Sequence, residues 1–363
     1  MKILHLDFDD LESPTAGGQA VRTFEINRRL AKKGHEITVV TLNYPNAKTR
    51  IKEGIRYERA GAKKYPWNFL TYFASVPAIL WSHKYDLVIE DNNSPFTFAL
   101  SPLYTQKPVI SQVQSFYAKE SSKKYHLPFW IVEKYGIKLY RNFLVLTKNM
   151  ADKIHALNKK ARIEIIPNGL STVPDLSVPQ DKHNNGDYLL FLGRIDFYYK
   201  GLDYLLEVAK ILLRKAPGLK IKIAGEGRDR EKLNHRITAE NIKNIDYVGK
   251  IAGPQKEKLL RECAMLVLPS RFEIFPFTIL EAAAYGKPTI CFDIENLREN
   301  IACGIGIAVP AFKIEKFAAA IIELNSNSSE RARLGQNAHD WAKKHLWEDV
   351  AAKQEAFYFS CLK

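Results

Sequence analysis

Two carboxylates bracket the segment Glu273-Ile274-Phe275-Pro276-Phe277-Thr278-Ile279-Leu280-Glu281. Before them, Ala264-Met265-Leu266-Val267-Leu268-Pro269 reads as a short buried parallel strand; after Pro276, the residues Phe277, Leu280, Ala284 and Tyr285 fall at helical spacing. Pro276 is expected near the first helical position, where a missing N–H costs nothing. Glu273 then lies in the loop and Glu281 about a turn and a half inside the helix. A helix N-terminus at the carboxyl end of a strand offers free N–H groups to an anion. Carboxylates beside it would repel phosphate, but they accept hydrogen bonds from hydroxyls. Phosphate next to hydroxyls is the chemistry of a sugar nucleotide, and the plain alternative is two solvated charges around a helix start.

Cations stand at a comparable joint. In Phe191-Leu192-Gly193-Arg194-Ile195-Asp196-Phe197-Tyr198-Tyr199-Lys200-Gly201 a strand ends in Gly193-Arg194 and a helix begins after Lys200-Gly201. Arg194 and Lys200 suit a diphosphate that gains charge as it leaves, although an exposed pair with no ligand has the same spelling. A further strand ends in Ala224-Gly225-Glu226-Gly227, where glycines allow close backbone approach to a ligand or simply a tight turn. The third glycine of a GxGxxG fingerprint is missing.

The elements that must hold these residues alternate strand and helix almost throughout. At 363 residues the chain exceeds the size at which one core keeps growing, so two domains are expected. Strands are predicted over 2–8, 35–42, 86–90, 108–113, 143–146 and 163–166, with a helix over 20–33 ending at Gly34. Residues 171–186, with Pro174, Pro179, Asn184 and Asn185, have no periodicity and read as a linker. Strands resume at 188–192, 219–224, 245–248, 264–268 and 289–292, with a helix over 201–215. Doubly wound parallel sheets bind ligands at the carboxyl ends of their strands, and two such sheets facing each other would make a cleft.

Composition narrows the partners. The chain is 46% apolar and 26% charged, as ordinary globular chains are. The apolar stretch 69–81 contains Pro77 and is too short to span a bilayer. The opening Met1-Lys2-Ile3-Leu4-His5-Leu6-Asp7 turns acidic at once, unlike a signal peptide. Cys263, Cys291, Cys303 and Cys361 are scattered without ligand spacing, so a cytoplasmic setting and no zinc site are expected. A net charge of +14 asks for an acidic partner. Basic and aromatic residues mix over Arg56-Tyr57-Glu58-Arg59, over Lys63-Lys64-Tyr65-Pro66-Trp67 and from Lys119 to Lys138 with Tyr125, Phe129, Trp130 and Tyr135. The last stretch suggests an amphipathic helix able to rest on an anionic membrane surface, peripherally at the inner face; a solvated face over a buried aromatic stripe is the alternative. No nucleic-acid partner is expected, since the basic residues accompany no recognised module.

Taken in order, Ile166-Pro167-Asn168-Gly169, Gly193-Arg194, Lys200-Gly201, Ala224-Gly225-Glu226-Gly227, Val248-Gly249-Lys250, Leu268-Pro269-Ser270 and the Glu273–Glu281 pair resemble the nucleotide-sugar half of the retaining glycosyltransferases of family 4, also called group 1, with the GT-B fold. The resemblance is looser in the first half, carried by Gly17-Gly18 and by Leu30 to Thr41, and it returns at Trp347. It implies two Rossmann-like doubly wound domains facing a central cleft: residues 1–170 for the acceptor, joined by a closing helix over 347–363, and 171–346 for the donor. It also implies transfer of a hexose-type sugar, in glycan, polysaccharide or glycolipid biosynthesis, from a UDP-sugar or GDP-sugar to a sugar, polysaccharide or lipid-linked acceptor, with no cofactor and no metal. Arg194 and Lys200 would hold the diphosphate, Glu273 the transferred sugar and Glu281 the ribose. Gly193, Gly227 and the backbone of Ile274, Phe275, Pro276 and Phe277 would line the donor pocket. Lys250 and Ile251 would meet the base, and Gly17 and Gly18 the phosphate across the cleft.

Two positions depart from the family. Many relatives carry a histidine where this chain reads Gln114, which hydrogen-bonds but does not titrate. Ile274 stands where a small residue is common. Asp7-Phe8-Asp9 has the spacing of the metal-binding DxD of the unrelated GT-A fold, yet it ends the first strand of the acceptor half, where a structural or acceptor-facing loop is expected. Two other activities suit the same residues: a sugar-nucleotide epimerase of this fold, and a non-catalytic relative that binds a nucleotide or a partner. Neither base, sugar, acceptor nor oligomeric state is spelled by these motifs.

Overall fold

The structure, a computed structural model, describes residues 1–363 apart from 14, 15, 65, 66, 94–98, 117, 177–185 and 187, and apart from the side chains of 120, 121, 124 and 125. Pro179, Asn184 and Asn185 of the expected linker, Tyr65 and Pro66, and the side chain of Tyr125 therefore lie outside the described residues. The chain divides into two compact units, Met1–Gly169 with Trp347–Lys363, and Leu170–Leu346.

Among the described residues the first unit holds eight strands: β1 Lys2–Leu6, β2 Glu36–Leu42, β3 Arg50–Lys52, β4 Ile55–Ala60, β5 Leu87–Asn92, β6 Val109–Val113, β7 Asn142–Val145 and β8 Arg162–Ile165. They lie in the order β3-β4-β2-β1-β5-β6-β7-β8, parallel except that β3 runs antiparallel to β4. The central strands are near-continuous apolar runs because helices cover such sheets on both faces. Sequence reading missed the β3–β4 hairpin and took Arg56 to Arg59 for a basic-aromatic surface. In the structure Glu53 (φ 52°) and Gly54 (φ 79°) make the tight turn, with the positive φ at both positions that strand twist favours. Tyr57 then points into the core, Arg59 pairs with Asp10 and donates to Thr41, and Arg56 pairs with Glu58 at 2.6 Å. Much of this segment's charge is thus partnered inside the unit.

The closing helix Trp347–Leu362 belongs to this unit and packs on the helix Gly18–Lys32. Arg29 pairs with Glu348, and Lys33 and His35 both reach Glu355, so His35 has a structural partner. Arg22, fully buried, donates to the carbonyl of Pro167 (2.8 Å), to Asn168 Oδ1 (3.2 Å) and to Gln354 Oε1 (2.9 Å). Burial pulls its guanidinium down to about 10. A Cβ on Gly169 would meet the Trp347 ring at 2.9 Å. The Ile166-Pro167-Asn168-Gly169 motif is therefore the seat of Arg22 and Trp347.

The second unit carries β9 Tyr188–Leu192, β10 Lys220–Ala224, β11 Ile245–Gly249, β12 Met265–Leu268, β13 Thr289–Asp293 and β14 Gly306–Pro310, in the order β11-β10-β9-β12-β13-β14, all parallel. Alternate residues of β9 feed two cores: Leu189 and Phe191 pack with the helix Leu202–Lys215, while Tyr188, Leu190 and Leu192 pack with the helix Phe277–Ala284. Strand β14 was not foreseen, because two glycines and a closing proline disguise it. Gly306 is there because a Cβ would fall on the Thr289 carbonyl oxygen of the neighbouring strand. Among the described residues no helix is long and apolar enough to cross a membrane.

Candidate active site

At the carboxyl end of β9 the chain leaves through Gly193 and Arg194 into a short helical turn, Phe197–Lys200, capped by Asp196 Oδ1 on the Tyr199 N–H at 2.9 Å. Arg194 is exposed and makes no ion pair among the described residues. The turn stops at Gly201, whose φ of 63° is left-handed and whose Cβ would fall on the Pro269 carbonyl oxygen. That close approach sews the β9 loop to the β12 loop. Arg271 completes the seam with a two-pronged pair to Asp203 (2.8 and 2.5 Å), and its guanidinium lies 4.1 Å above the Tyr204 ring.

The seam brings Lys200 to Glu273. Lys200 Nζ donates to Glu273 Oε1 at 2.6 Å, and Ser270 Oγ donates to the same oxygen at 2.8 Å. Glu273 is buried, and Asn296 Nδ2 holds its carbonyl at 3.0 Å. Ile274 and Phe275 also turn inward, Phe275 against the rings of Trp341 and His345, so the Ile274 side chain packs in the core. Pro276 sits one position earlier than expected, at the N-cap of the helix Phe277–Ala284, with extended backbone (ψ 130°). Glu281 lies in that helix, half-buried, and accepts from Lys256 Nζ at 2.6 Å. Burial raises its pKa against the opposing charge of Lys256. Both carboxylates of the pair thus carry an ammonium partner. Lys256, on the helix Gly253–Glu262, was missed by sequence reading because it belongs to no recognisable spacing. Lys250 is exposed and Ile251 half-buried in the loop before that helix. The glycines after β10 have a packing reason: a Cβ at Gly225 (φ 145°) would fall on the Gly193 carbonyl oxygen, and one at Gly227 on that of Ile195.

The first unit presents different chemistry at its strand ends. Gly17 caps the helix Gly18–Lys32 without a side-chain acceptor. Behind it, His5, Asp7 and Asp91 are fully buried. His5 Nε2 and Asp91 Oδ2 are 2.6 Å apart; Thr23 Oγ1 donates to Asp7 Oδ2 at 2.7 Å and to Asp91 Oδ2 at 3.2 Å; Gln19 Nε2 donates to Asp7 Oδ1 at 2.5 Å. Asp91 Oδ1 takes Gln112 Nε2 at 2.6 Å and Gln114 Nε2 at 3.1 Å. Burial would push the His5 ring down, but Asp91 outweighs it and the ring stands above its ordinary value. Burial would likewise raise Asp91, and His5 holds it low. Asp7, buried beside the Asp91 charge, is pushed up to about 7. The ligand-type atoms of His5, Asp7 and Asp91 lie within 4.8 Å of one another, yet the 2.6 Å contact is a hydrogen bond and donors already occupy the other oxygens. Asp7 of the Asp7-Phe8-Asp9 spacing is therefore an interior residue. Gln114 is half-buried at the edge of this network.

Two doubly wound parallel sheets, the second with glycine turns, cations and a carboxylate pair at its strand ends, define a glycosyltransferase of GT-B fold. Residues 174–341 match the glycosyl transferases group 1 and residues 16–173 match Glycosyltransferase Family 4, and the chain belongs to this family. The uncharacterized glycosyltransferase MJ1178 of Methanocaldococcus jannaschii is 28% identical over 204 residues, 55% of this chain and 53% of that protein, so the match spans about half the length of that relative. Among solved structures, sucrose-phosphate synthase from Thermosynechococcus elongatus superposes with a TM-score of 0.84 at 18% identity, over 99% of this chain and 98% of that one. HepE of Anabaena, solved in complex with UDP-glucose, gives 0.76 at 17% identity, over 99% and 100%.

Proposed function

We propose that this chain is a retaining transferase that moves a hexose-type sugar from a nucleoside-diphosphate sugar to an acceptor hydroxyl, without a metal, in the synthesis of a glycan, polysaccharide or glycolipid. The observation that carries this reading is the seam in the second unit, where Lys200 and the buried Glu273 meet at the end of the loop that the exposed Arg194 opens. HepE, of the same fold, holds UDP-glucose. In this reading Arg194 and Lys200 stabilise charge on the departing diphosphate, where preorganised donors act most strongly. Glu273 accepts from a sugar hydroxyl and Glu281 from the ribose. Gly193, Gly227 and residues 274–277 supply backbone, Lys250 and Ile251 adjoin the base, and Gly17 and Gly18 bring helix N–H groups to phosphate. The acceptor oxygen bonds to the anomeric carbon on the face that the phosphate oxygen leaves, and that phosphate oxygen takes the acceptor's proton. Gln114 meets the acceptor and takes no proton.

The acceptor in this reading is a sugar, a polysaccharide or a lipid-linked sugar, reached peripherally at the cytoplasmic face of an anionic membrane. Leu127, Trp130, Ile131, Val132, Tyr135 and Leu139 are exposed on and around the helix Phe129–Gly136, and the ammonium groups of Lys134 and Lys138 lie 5.6 and 5.5 Å from the Tyr135 ring. Apolar side chains rimmed by lysines fit a headgroup layer. Flotation with anionic liposomes at low salt tests this, and its absence removes the membrane from the proposal.

The deciding experiment offers UDP-, GDP- and ADP-glucose and the corresponding mannose donors with octyl glucosides and mannose as acceptors, and follows products by NMR. Transfer with the donor's anomeric configuration is expected. Inverted product would refute retention, isomerised donor without acceptor would mark an epimerase, and binding without turnover would mark a non-catalytic relative.

A further inference from the structure

The Gln114 amide is fixed from behind. Its Nε2 lies 3.1 Å from Asp91 Oδ1, and its Oε1 has no hydrogen-bond partner among the described residues. Which end of an amide faces inward is ordinarily inferred from its neighbours. Here the neighbour decides it, because an ionised carboxylate only accepts. With the amide reversed, two acceptor oxygens would face each other.

Three further donors converge on the same carboxylate: His5 Nε2, Thr23 Oγ1 and Gln112 Nε2. The His5 ring supplies independent support for the charge. Its Nδ1 lies 3.0 Å from the Asn27 amide nitrogen, while Asn27 Oδ1 is buried with no hydrogen-bond partner among the described residues. With the Asn27 amide nitrogen donating to Nδ1, the proton of the ring stands on Nε2, and Asp91 Oδ2 accepts from it. Gln112 is pinned too, since Gln354 Nε2 donates to its Oε1 at 3.1 Å. Asp91 Oδ1 is thus held in place, charged and facing Gln114.

We propose that Asp91 is a positioning residue for the acceptor: by taking the Gln114 amide nitrogen it turns the amide oxygen outward, so that Gln114 accepts a hydrogen bond from the attacking hydroxyl and does not donate one. This rests on the reading of Gln114 as the side chain that meets the acceptor. In the bound state the hydroxyl's proton points at the Gln114 oxygen and a lone pair faces the anomeric carbon; as the new bond forms, that proton passes to the departing phosphate oxygen, the amide having held it without taking it. A donor at this position would engage that lone pair instead.

The test is a mutant cycle on the full chain, using the donor and acceptor pair that the panel above turns over. Gln114→Met, which removes the acceptor at similar length, lowers kcat about a hundredfold with donor KM unchanged, whereas Gln114→Glu, which accepts whether or not it is ionised, costs less than about tenfold. Asp91→Ala costs about tenfold when residue 114 is Gln and less than about twofold when it is Glu, because a carboxylate needs no orienting. A purely structural role for Asp91 would cost the same in both backgrounds, and that equality overturns the proposal. Should Asp91→Ala fail to fold, the ordering of Gln114→Glu and Gln114→Met still decides, and Gln114→Glu as damaging as Gln114→Met overturns it. Normal turnover in Gln114→Met refutes the underlying reading of Gln114 instead.

Discussion

At the strand ends of the eight-stranded sheet, His5, Asp7, Asp91 and Gln112 are buried and hydrogen-bond to one another and to Gln19, Thr23 and Gln354. At those of the six-stranded sheet, glycines let loop backbones touch, Arg194 is exposed, and the two carboxylates, Glu273 buried and Glu281 half-buried, each meet a half-buried lysine. The two sheets share a winding and a binding end, yet one end is closed around its own polar atoms and the other presents them. A closed network fixes the groups it contains, while loops of bare backbone with an exposed cation leave polar groups open to solvent.

The largest effect should come from breaking the backbone approach in the second unit. Gly225→Ala adds a Cβ onto the Gly193 carbonyl at a φ of 145°. We expect a loss of roughly 3 kcal/mol or more, and a melting temperature lower by about 6–12 °C. An unchanged melting temperature would show that the loops part easily. Next comes Lys200→Ala, which removes one preorganised cation and should slow turnover by roughly a hundredfold. It also leaves the buried Glu273 with Ser270 but without its ammonium, so a stability loss should accompany the kinetic one. Near-normal turnover would sink the assignment of Lys200 to the diphosphate.

The first unit is probed by pH. Asp7, pushed up to about 7 from an ordinary value of 3.8, binds its proton more tightly when folded than when unfolded. Its contribution is therefore full below the unfolded value and is lost as pH rises through about 7. Asp7→Asn should remove that dependence and gain on the parent chain by on the order of 2 kcal/mol at pH 8, with little difference at pH 4. Urea unfolding at the two pH values reads this directly. Equal slopes in parent and variant would mean that the network does not hold Asp7 protonated.

These two ends also differed in how readable they were. Gly193, Arg194, Lys200, Gly225, Gly227, Glu273 and Glu281 stand in short local motifs, because a turn at the end of a strand is written in consecutive residues. The parallel strands other than β4 and β14 were legible for the same reason, as apolar runs. The Asp91 network was not, since His5, Asp91, Gln112 and Gln354 are gathered from four places in the chain and no spacing announces them. Gln114 was noticed only as a departure from relatives, and what stands behind it required the fold. The β3–β4 hairpin failed differently: outward charges hid the inward Ile55 and Tyr57, and Glu53-Gly54 is a weaker turn signal than Asn-Gly.

The smallest effect sharpens the binding end. Glu281 is half-buried and its pKa is raised, and Lys256 is the charge that opposes the rise. If Glu281 reads the ribose, it does so best as a carboxylate, which can accept from two hydroxyls at once. Lys256→Met removes the ammonium 2.6 Å away, so burial acts unopposed and the acid holds its proton to higher pH. UDP should then bind about tenfold more weakly at pH 6, on the order of 1.4 kcal/mol, and recover part of the loss at pH 8 as the acid ionises. Calorimetry with UDP and 2′-deoxy-UDP separates the causes. A loss confined to the ribonucleotide places the effect on the ribose hydroxyls, whereas an equal loss for both would make Lys256 a contact for the phosphates and leave Glu281 without the part proposed for it.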